Sequence, residues 1–236
     1  MPPNALVVVP AFNEQAALPG TLAEVLRHVP PAQVVVIDDG SLDDTAGAAR
    51  AAGVPVVRLP YNLGIGGALR TGFSYALEHG FERAVQIDGD GQHDPTEMDV
   101  LLAGLDDGAD LVIGSRFLRG GGYEVSRTRG AAMRLLGRFV HSLTGQRFTD
   151  TSSGFRAFGP RAMRLFARRY PAEYLSDTVE AILIACRAGL TVREVPVRMR
   201  VRAEGRASTR HFRLAYHYVR LLVVMAAGAG RKEELA

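Results

Sequence analysis

The sequence predicts an α/β fold with a mainly parallel central sheet. Short apolar runs rich in Val and Ile alternate with segments of helical length from Ala5 to Ile113, which is the pattern of βαβ units. The runs are nearly continuous in apolar residues, as strands covered on both faces are. Four polar loops each follow directly on a strand: Pro10 to Glu14, Asp38 to Ser41, Asp88 to Gln92 and Gly114 to Arg116. In such sheets ligands bind beyond the carboxyl ends of the strands.

The elements follow in order. Ala5 to Val9 reads as a strand ended by Pro10, and Asn13-Glu14 opens a helical segment to about His28. Gln33 to Ile37 is the second strand. Asp43-Asp44-Thr45 starts the second helix, where acidic residues suit the N-terminus. Val54 to Leu59 is the third strand. Asn62 to Gly67 precedes a helix from about Ala68 to His79, and its glycines suggest close approach of helix and sheet. Ala84 to Ile87 is the fourth strand. Pro95 fits the first turn of a helix reaching about Leu105. Leu111 to Ile113 is the fifth strand.

Beyond Arg116 the pattern changes. Gly120-Gly121-Gly122 marks a flexible segment, followed by a helix over about 129–143 with Met133, Leu136, Val140 and Leu143 on one stripe. Phe155 to Phe158 and Thr191 to Val197 read as strands at or near a sheet edge, given Pro196. Asp177 to Ala188 is helical. A last amphipathic helix spans about 208–229, with Arg210, Arg213, His217 and Arg220 on one face. Its apolar run, Leu221 to Ala229, is much shorter than the roughly 20 residues a membrane span needs. A basic helix lying on anionic lipid fits better. The expectation is one domain, 1–236, with two halves, 1–117 and 118–236.

Composition narrows the function. Of 28 basic residues only Lys232 is lysine. Five arginines precede Arg116, whereas 21 lie between Arg116 and Arg220. This basic second half suits an anionic partner: nucleic acid, phosphorylated lipid or membrane headgroups. The single cysteine, Cys186, excludes a disulfide framework and a cysteine metal site. No basic region precedes the first apolar run, so no secretory signal is read and a cytoplasmic protein is expected.

The most informative stretch is Asp88-Gly89-Asp90-Gly91-Gln92. Turns use aspartate and glycine routinely, but here two carboxylates leave a buried strand and an amide follows. Asp88, Asp90 and Gln92 offer hard oxygen ligands, which suit Mg²⁺ or Mn²⁺ with positions left for phosphate oxygens. Asp38 and Asp39 repel one another, which a plain turn has no reason to tolerate. Asp39 is therefore read as accepting hydrogen bonds from a ribose or base. Arg116 and Arg202 are candidates for neutralising phosphate charge.

As an ordered set these residues resemble the family 2 glycosyltransferases, most nearly the dolichol-phosphate mannose synthase-like branch. The resemblance rests on Val9 to Glu14, Val36 to Ser41 with Asp43 and Thr45, Asn62-Leu63-Gly64, Gln86 to His93, Gly114 to Phe117, Ser153 to Arg156, and Glu194 to Val197 through Arg202 and Gly205. It implies a GT-A fold, Rossmann-like, with a smaller acceptor-side half. It also implies a nucleotide-diphosphate sugar donor of the GDP-mannose or UDP-glucose type, a divalent metal, and inversion at the anomeric carbon. By motif position, Pro10, Phe12, Glu14, Ile37 and Asp39 would line the nucleotide pocket, with Asp88 and Gly89 beside it. Asp88, Asp90 and Gln92 would sit at the metal, and Arg116 and Arg202 at the diphosphate or acceptor phosphate.

The acceptor decides the rest of the chemistry. A polyprenyl phosphate is ionised near pH 7, since a monoester's second pKa is about 6, and needs no general base. A glycan hydroxyl does need one, and Asp150, Asp177 and Glu180 are the candidates. The expected partners are the sugar donor and a polyprenyl-phosphate or glycan acceptor. Arginine-rich helices give peripheral membrane contact. A non-catalytic nucleotide- or nucleic-acid-binding protein is the alternative. It has no use for the acidic loop, and nucleic acid is not expected because no aromatics interleave the basic residues.

Overall fold

The structure is a computed structural model and describes residues 1–118, 127–171 and 177–200, with only the backbone considered at 127–132 and 134. Arg202, Gly120 to Gly122 and the helix expected over 208–229 lie outside the described residues.

Seven strands form one sheet in the order β3-β2-β1-β4-β6-β5-β7. They are β1 (Ala5–Ala11), β2 (Val34–Asp38), β3 (Val56–Arg58), β4 (Arg83–Gln86), β5 (Leu111–Ser115), β6 (Arg156–Phe158) and β7 (Val192–Pro196). All neighbours are parallel except β6, which runs antiparallel to both β4 and β5. The helices are α1 (Leu18–Val25), α2 (Thr45–Ala51), α3 (Gly64–Glu78), α4 (Met98–Asp106), α5 (Arg127–Thr144), α6 (Pro160–Arg169) and α7 (Asp177–Arg187).

Two cores result, one on each face. Leu6, Val8, Val35 and Ile37 pack with α3, α5, α6 and α7. Val7, Val9, Val34 and Val36 pack with α1, α2 and α4. Successive strand side chains point to opposite faces, so strands buried on both faces must be apolar throughout. β1 is buried at every position, as its unbroken apolar sequence requires.

Several expectations change. The helix read from Asn13 begins only at Leu18, because Asn13 takes a left-handed φ of 54° that an α-helix cannot hold. The 155–158 segment is not an edge strand: β6 is enclosed by β4 and β5, and of the two segments expected near an edge β7, with Pro196, is the one that lies there. α6 was not foreseen. Its Ala162, Met163, Leu165 and Phe166 are buried at helical spacing, and Pro160 opens its first turn. A close helix-sheet approach is made at Gly72, whereas a Cβ at Gly67 would meet Leu63. A Cβ at Gly72 would fall 2.3 Å from a methyl of Val8 on β1.

Candidate active site

Chain order reverses at β1: β2 lies on one side and β4 on the other. In a parallel sheet the loops diverge at such a switch point and leave a crevice beyond the carboxyl ends. Register brings the strand ends together there. Ala11 pairs with Asp38, Val8 with Gln86, and Gln86 with Arg156, which also faces Ile113.

The loops at this edge are tied to one another. Asn13 donates its backbone N–H to Ser41 Oγ (3.0 Å), and its Oδ1 accepts from the backbone of Leu42 (2.8 Å). The Glu14 backbone donates to Thr45 Oγ1 at 3.0 Å. Asp39 accepts from the Leu63 backbone N–H at 2.7 Å. Burial raises the pKa of Asp39, while the Leu63 and Gly64 backbone N–H groups oppose the rise. One Asp39 oxygen therefore fastens the loop after β3, which had no place in the sequence reading of this residue. Asp38 is fully buried, holds the Ser41 backbone at 3.0 Å and lies 3.3 Å from Arg58. The two adjacent carboxylates thus have separate structural partners. Pro10 is buried and Phe12 is 42% exposed at the rim. Ile37 is fully buried in the core with α3, so it supports the loop from beneath instead of lining an open surface.

The acidic loop lies against this assembly. Gly89 approaches the Pro10 carbonyl and the Glu14 and Leu18 side chains, and its own carbonyl accepts from Thr21 Oγ1 at 3.0 Å. Asp90 accepts from the Gln92 backbone (3.1 Å) and from Gln92 Nε2 (2.6 Å). Gln92 therefore turns its NH₂ group, not its oxygen, towards Asp90, and its amide must rotate before the oxygen reaches a shared cation. Among the described residues, no group of three or more His, Cys, Asp or Glu side chains converges to hold a metal. Asp88 and Asp90 carry hard carboxylate oxygens two residues apart on this loop, and the Gln92 amide lies on Asp90. That fits Mg²⁺ or Mn²⁺ bound through two carboxylates and completed by water and phosphate.

Asp88 is held from three sides. Its Oδ1 accepts from Gln86 Nε2 at 3.0 Å. Its backbone N–H donates to His93 Nδ1 at 3.1 Å, which puts the proton of a neutral imidazole on Nε2, 3.7 Å from Asp88 Oδ2. His93 is buried and stacks on Phe155, with ring centroids 4.8 Å apart. On the third side is Gly154, where a Cβ would fall 2.9 Å from Asp88 Oδ2.

Arg116 lies on the β5 side. Asp150 is fully buried and clamps it in two-pronged fashion: Nε to Oδ2 at 2.7 Å and Nη2 to Oδ1 at 2.8 Å. Ser152 Oγ accepts from the same Nη2 at 2.8 Å. Glu194 on β7 accepts from the Thr149 and Asp150 backbones, each at 2.7 Å, and burial raises its pKa. Asp150, expected as a possible general base, is thus the buried counter-ion that aims Arg116.

Behind Asp88 lies a charge the sequence reading passed over. Arg156 is fully buried, with Nε donating to Ser153 O (2.8 Å) and Nη2 to Thr178 O (2.9 Å). Asp177 is buried beside it. Burial pushes the Asp177 pKa up to about 6; Arg156 opposes the rise, and Asp88 and Glu180 add to it. Beyond β7 the chain crosses the acidic loop. Met199 bridges His93, the Arg200 backbone donates to Gln92 O at 2.8 Å, and the Arg200 guanidinium pairs with Glu24 and with Asp94. Its continuation towards Arg202 is outside the described residues.

Comparison with known proteins agrees with this architecture. The family model described as glycosyl transferase family 2 matches residues 6–169. An undecaprenyl-phosphate mannosyltransferase of Micrococcus luteus is 32% identical over 201 residues, 82% of this chain and 82% of its own. A polyprenol monophosphomannose synthase of Mycolicibacterium smegmatis is 34% identical over 170 residues, 66% of this chain and 61% of its own. Among solved structures, glucosyl-3-phosphoglycerate synthase from Mycobacterium tuberculosis, in complex with Mn²⁺, UDP and phosphoglyceric acid, superposes with a TM-score of 0.69. It is 22% identical, over 97% of this chain and 79% of that one. That likeness concerns the fold, which is of the GT-A type. The match over most of the sheet, with the polar loops gathered at its carboxyl edge, makes this chain a member of glycosyl transferase family 2, and an enzyme of that class.

Proposed function

We propose that the enzyme moves a hexose from a nucleoside-diphosphate sugar to a polyprenyl phosphate, with Mg²⁺ or Mn²⁺ held by Asp88, Asp90 and Gln92. The observation that carries the choice of acceptor is the engagement of Asp150. Both its oxygens are bonded to Arg116 and it is fully buried, which favours a counter-ion role over that of a base. Asp177 is likewise buried, against Arg156, whereas Glu180 on the same helix is half-buried and is the candidate base left for a hydroxyl acceptor. A phosphate acceptor needs none of them, because it is already ionised near neutral pH. The names of the two relatives, each transferring mannose to a polyprenyl carrier, support the same acceptor.

In this reading the loops around Asp39 hold the nucleoside, with Phe12 at the rim. A bound cation supplies positive charge to the departing diphosphate. Arg116, fixed in advance by Asp150, supplies more at no cost of reorganisation. Arg202 is assigned to the acceptor phosphate. No helix among the described residues is long and apolar enough to cross a membrane. Peripheral contact with the cytoplasmic membrane face is assigned to arginine-bearing helices such as α6, which exposes Arg164, Arg168 and Arg169.

The test is a panel of UDP- and GDP-sugars with Mg²⁺ or Mn²⁺, each with and without a polyprenyl phosphate. Lipid-dependent consumption of one donor is expected, abolished by EDTA and by Asp90→Ala. Equal turnover in Asp90→Ala removes the metal assignment. Transfer to a hydroxyl acceptor with none to the lipid removes the acceptor assignment.

A further inference from the structure

We propose that Gln86 is a positioning residue for Asp88, kept in the sheet for that task at a cost to the fold. This rests on the proposed metal site. Gln86 is the last residue of β4 and is 3% exposed. Its amide orientation is not arbitrary. An ionised carboxylate can only accept hydrogen bonds, so the group facing Asp88 Oδ1 at 3.0 Å must be the NH₂. That choice turns the amide oxygen inward, and Gln86 Oε1 is a buried acceptor with no hydrogen-bond partner. Buried polar atoms of this kind are rare and call for a reason.

The surroundings supply it. Ala84 and Gln86 share one face of β4, with Asp88 two residues past its end, and their register partners on β6 are Phe158 and Arg156, with Gly154 two residues before that strand. Ala84 and Phe158 are core; the polar positions are the two beside Asp88. Gly154 presents no side chain, so Asp88 and Gln86 can fill its space: a Cβ there would lie 2.9 Å from Asp88 Oδ2 and 3.2 Å from Gln86 Nε2. Arg156 is the register partner of Gln86 and is fully buried, with Nη1 also unpartnered. A cation on the register partner favours keeping the amide NH₂ on Asp88 and away from the guanidinium. With Oδ1 fastened and the carboxylate lodged against Gly154, Asp88 has a fixed orientation before any ion arrives. A purely apolar residue at 86 would satisfy the core better and leave Asp88 free to turn.

The variants Gln86→Met and Gln86→Leu separate this from a packing role. Two quantities are measured: Mn²⁺ affinity in the presence of UDP or GDP, followed by the spin-resonance signal of free Mn²⁺, and the unfolding temperature of the metal-free protein. The expected result is roughly a tenfold or greater loss of Mn²⁺ affinity, as when a hydrogen bond to a metal-binding carboxylate is removed, with the unfolding temperature equal to or above wild type. Unchanged Mn²⁺ affinity in both variants overturns the proposal, as does loss of affinity that merely follows a lowered unfolding temperature or failure to fold. Asp90→Ala is measured alongside. If it too leaves Mn²⁺ affinity unchanged, the metal site itself is refuted. If it weakens binding while both Gln86 variants do not, only the positioning role falls.

Discussion

Replacing Asp150 distinguishes a counter-ion from a general base. The carboxylate is fully buried and the Arg116 side chain is 9% exposed, so Asp150→Ala leaves a guanidinium short of water and of two bonds of 2.7 and 2.8 Å. Breaking a buried ion pair from one side costs about 3–5 kcal/mol. For a chain of this length each kcal/mol moves the unfolding midpoint by about 2–4 °C, so a fall of roughly 6–20 °C is expected. Asp150→Asn keeps an acceptor and should lose less. On the proposed role of Arg116 at the diphosphate, turnover should fall in both, because its guanidinium is no longer held in place. The double variant Arg116→Met with Asp150→Leu removes charge from both sides, and such replacements are often neutral or stabilising. It should regain most of the lost stability and none of the activity. Calorimetry and a donor-consumption assay read both quantities. An Asp150→Ala protein with wild-type melting and no turnover would refute this account and restore Asp150 as the base.

Two further perturbations test the ground around Asp88. Gly154→Ala places a methyl 2.9 Å from Asp88 Oδ2, but that atom ends a side chain and can turn aside. Stability should therefore change by less than about 1 kcal/mol, while kcat/KM falls roughly 10- to 100-fold because the carboxylate is displaced; normal kinetics would show that its orientation does not matter. Asp177, with its pKa raised from 3.8 to about 6, binds its proton more tightly in the folded state. Its contribution to stability is thus full below about pH 4 and is lost as pH rises through 6. The shift corresponds to something on the order of 3 kcal/mol. Asp177→Asn should flatten the stability profile between pH 4 and 6 in denaturant titrations, and an unchanged slope would exclude Asp177 as its source.

The parallel half was legible because its signals are local. Continuous apolar runs gave β1, β2, β4 and β5, and the polar loops at their ends marked one edge of the sheet. The edge position expected from Pro196 holds for β7 alone, and β6 lies inside the sheet between β4 and β5. The Arg156 guanidinium is held by a local carbonyl, Ser153, and by one 22 residues away, Thr178, and only the first is near in sequence. α6 does carry sequence signals: Ala162, Met163, Leu165 and Phe166 recur at helical spacing and Pro160 stands in the first turn. Asp150 was picked out as a carboxylate near a motif. That it is spent on Arg116, 34 residues away in sequence, is a fact of packing that spacing does not encode. Gln86 looked like one polar residue in an apolar run, and only the pairing of β4 with β6 gives it a role.

That pairing also bears on why an otherwise parallel sheet contains one reversed strand. β6 separates β4 from β5, the two strands whose ends carry the acidic loop and Arg116. Because it runs the other way, its beginning, not its end, lies at the edge where the ligand loops emerge. The chain entering β6 is then already at the site. Over Asp150 to Arg156 it supplies, in order, the counter-ion for Arg116, the Ser152 hydroxyl on the same guanidinium, the gap at Gly154 that admits Asp88, and the buried cation behind Gln86. A parallel strand in that slot would arrive from the opposite edge and spend its length in the core before reaching any of these positions. The reversal thus lets one short segment set both the acidic and the basic groups of the site. Substitutions in 150–156 should accordingly disturb metal binding and Arg116 together, whereas those in the loop after β2 should disturb nucleoside binding alone.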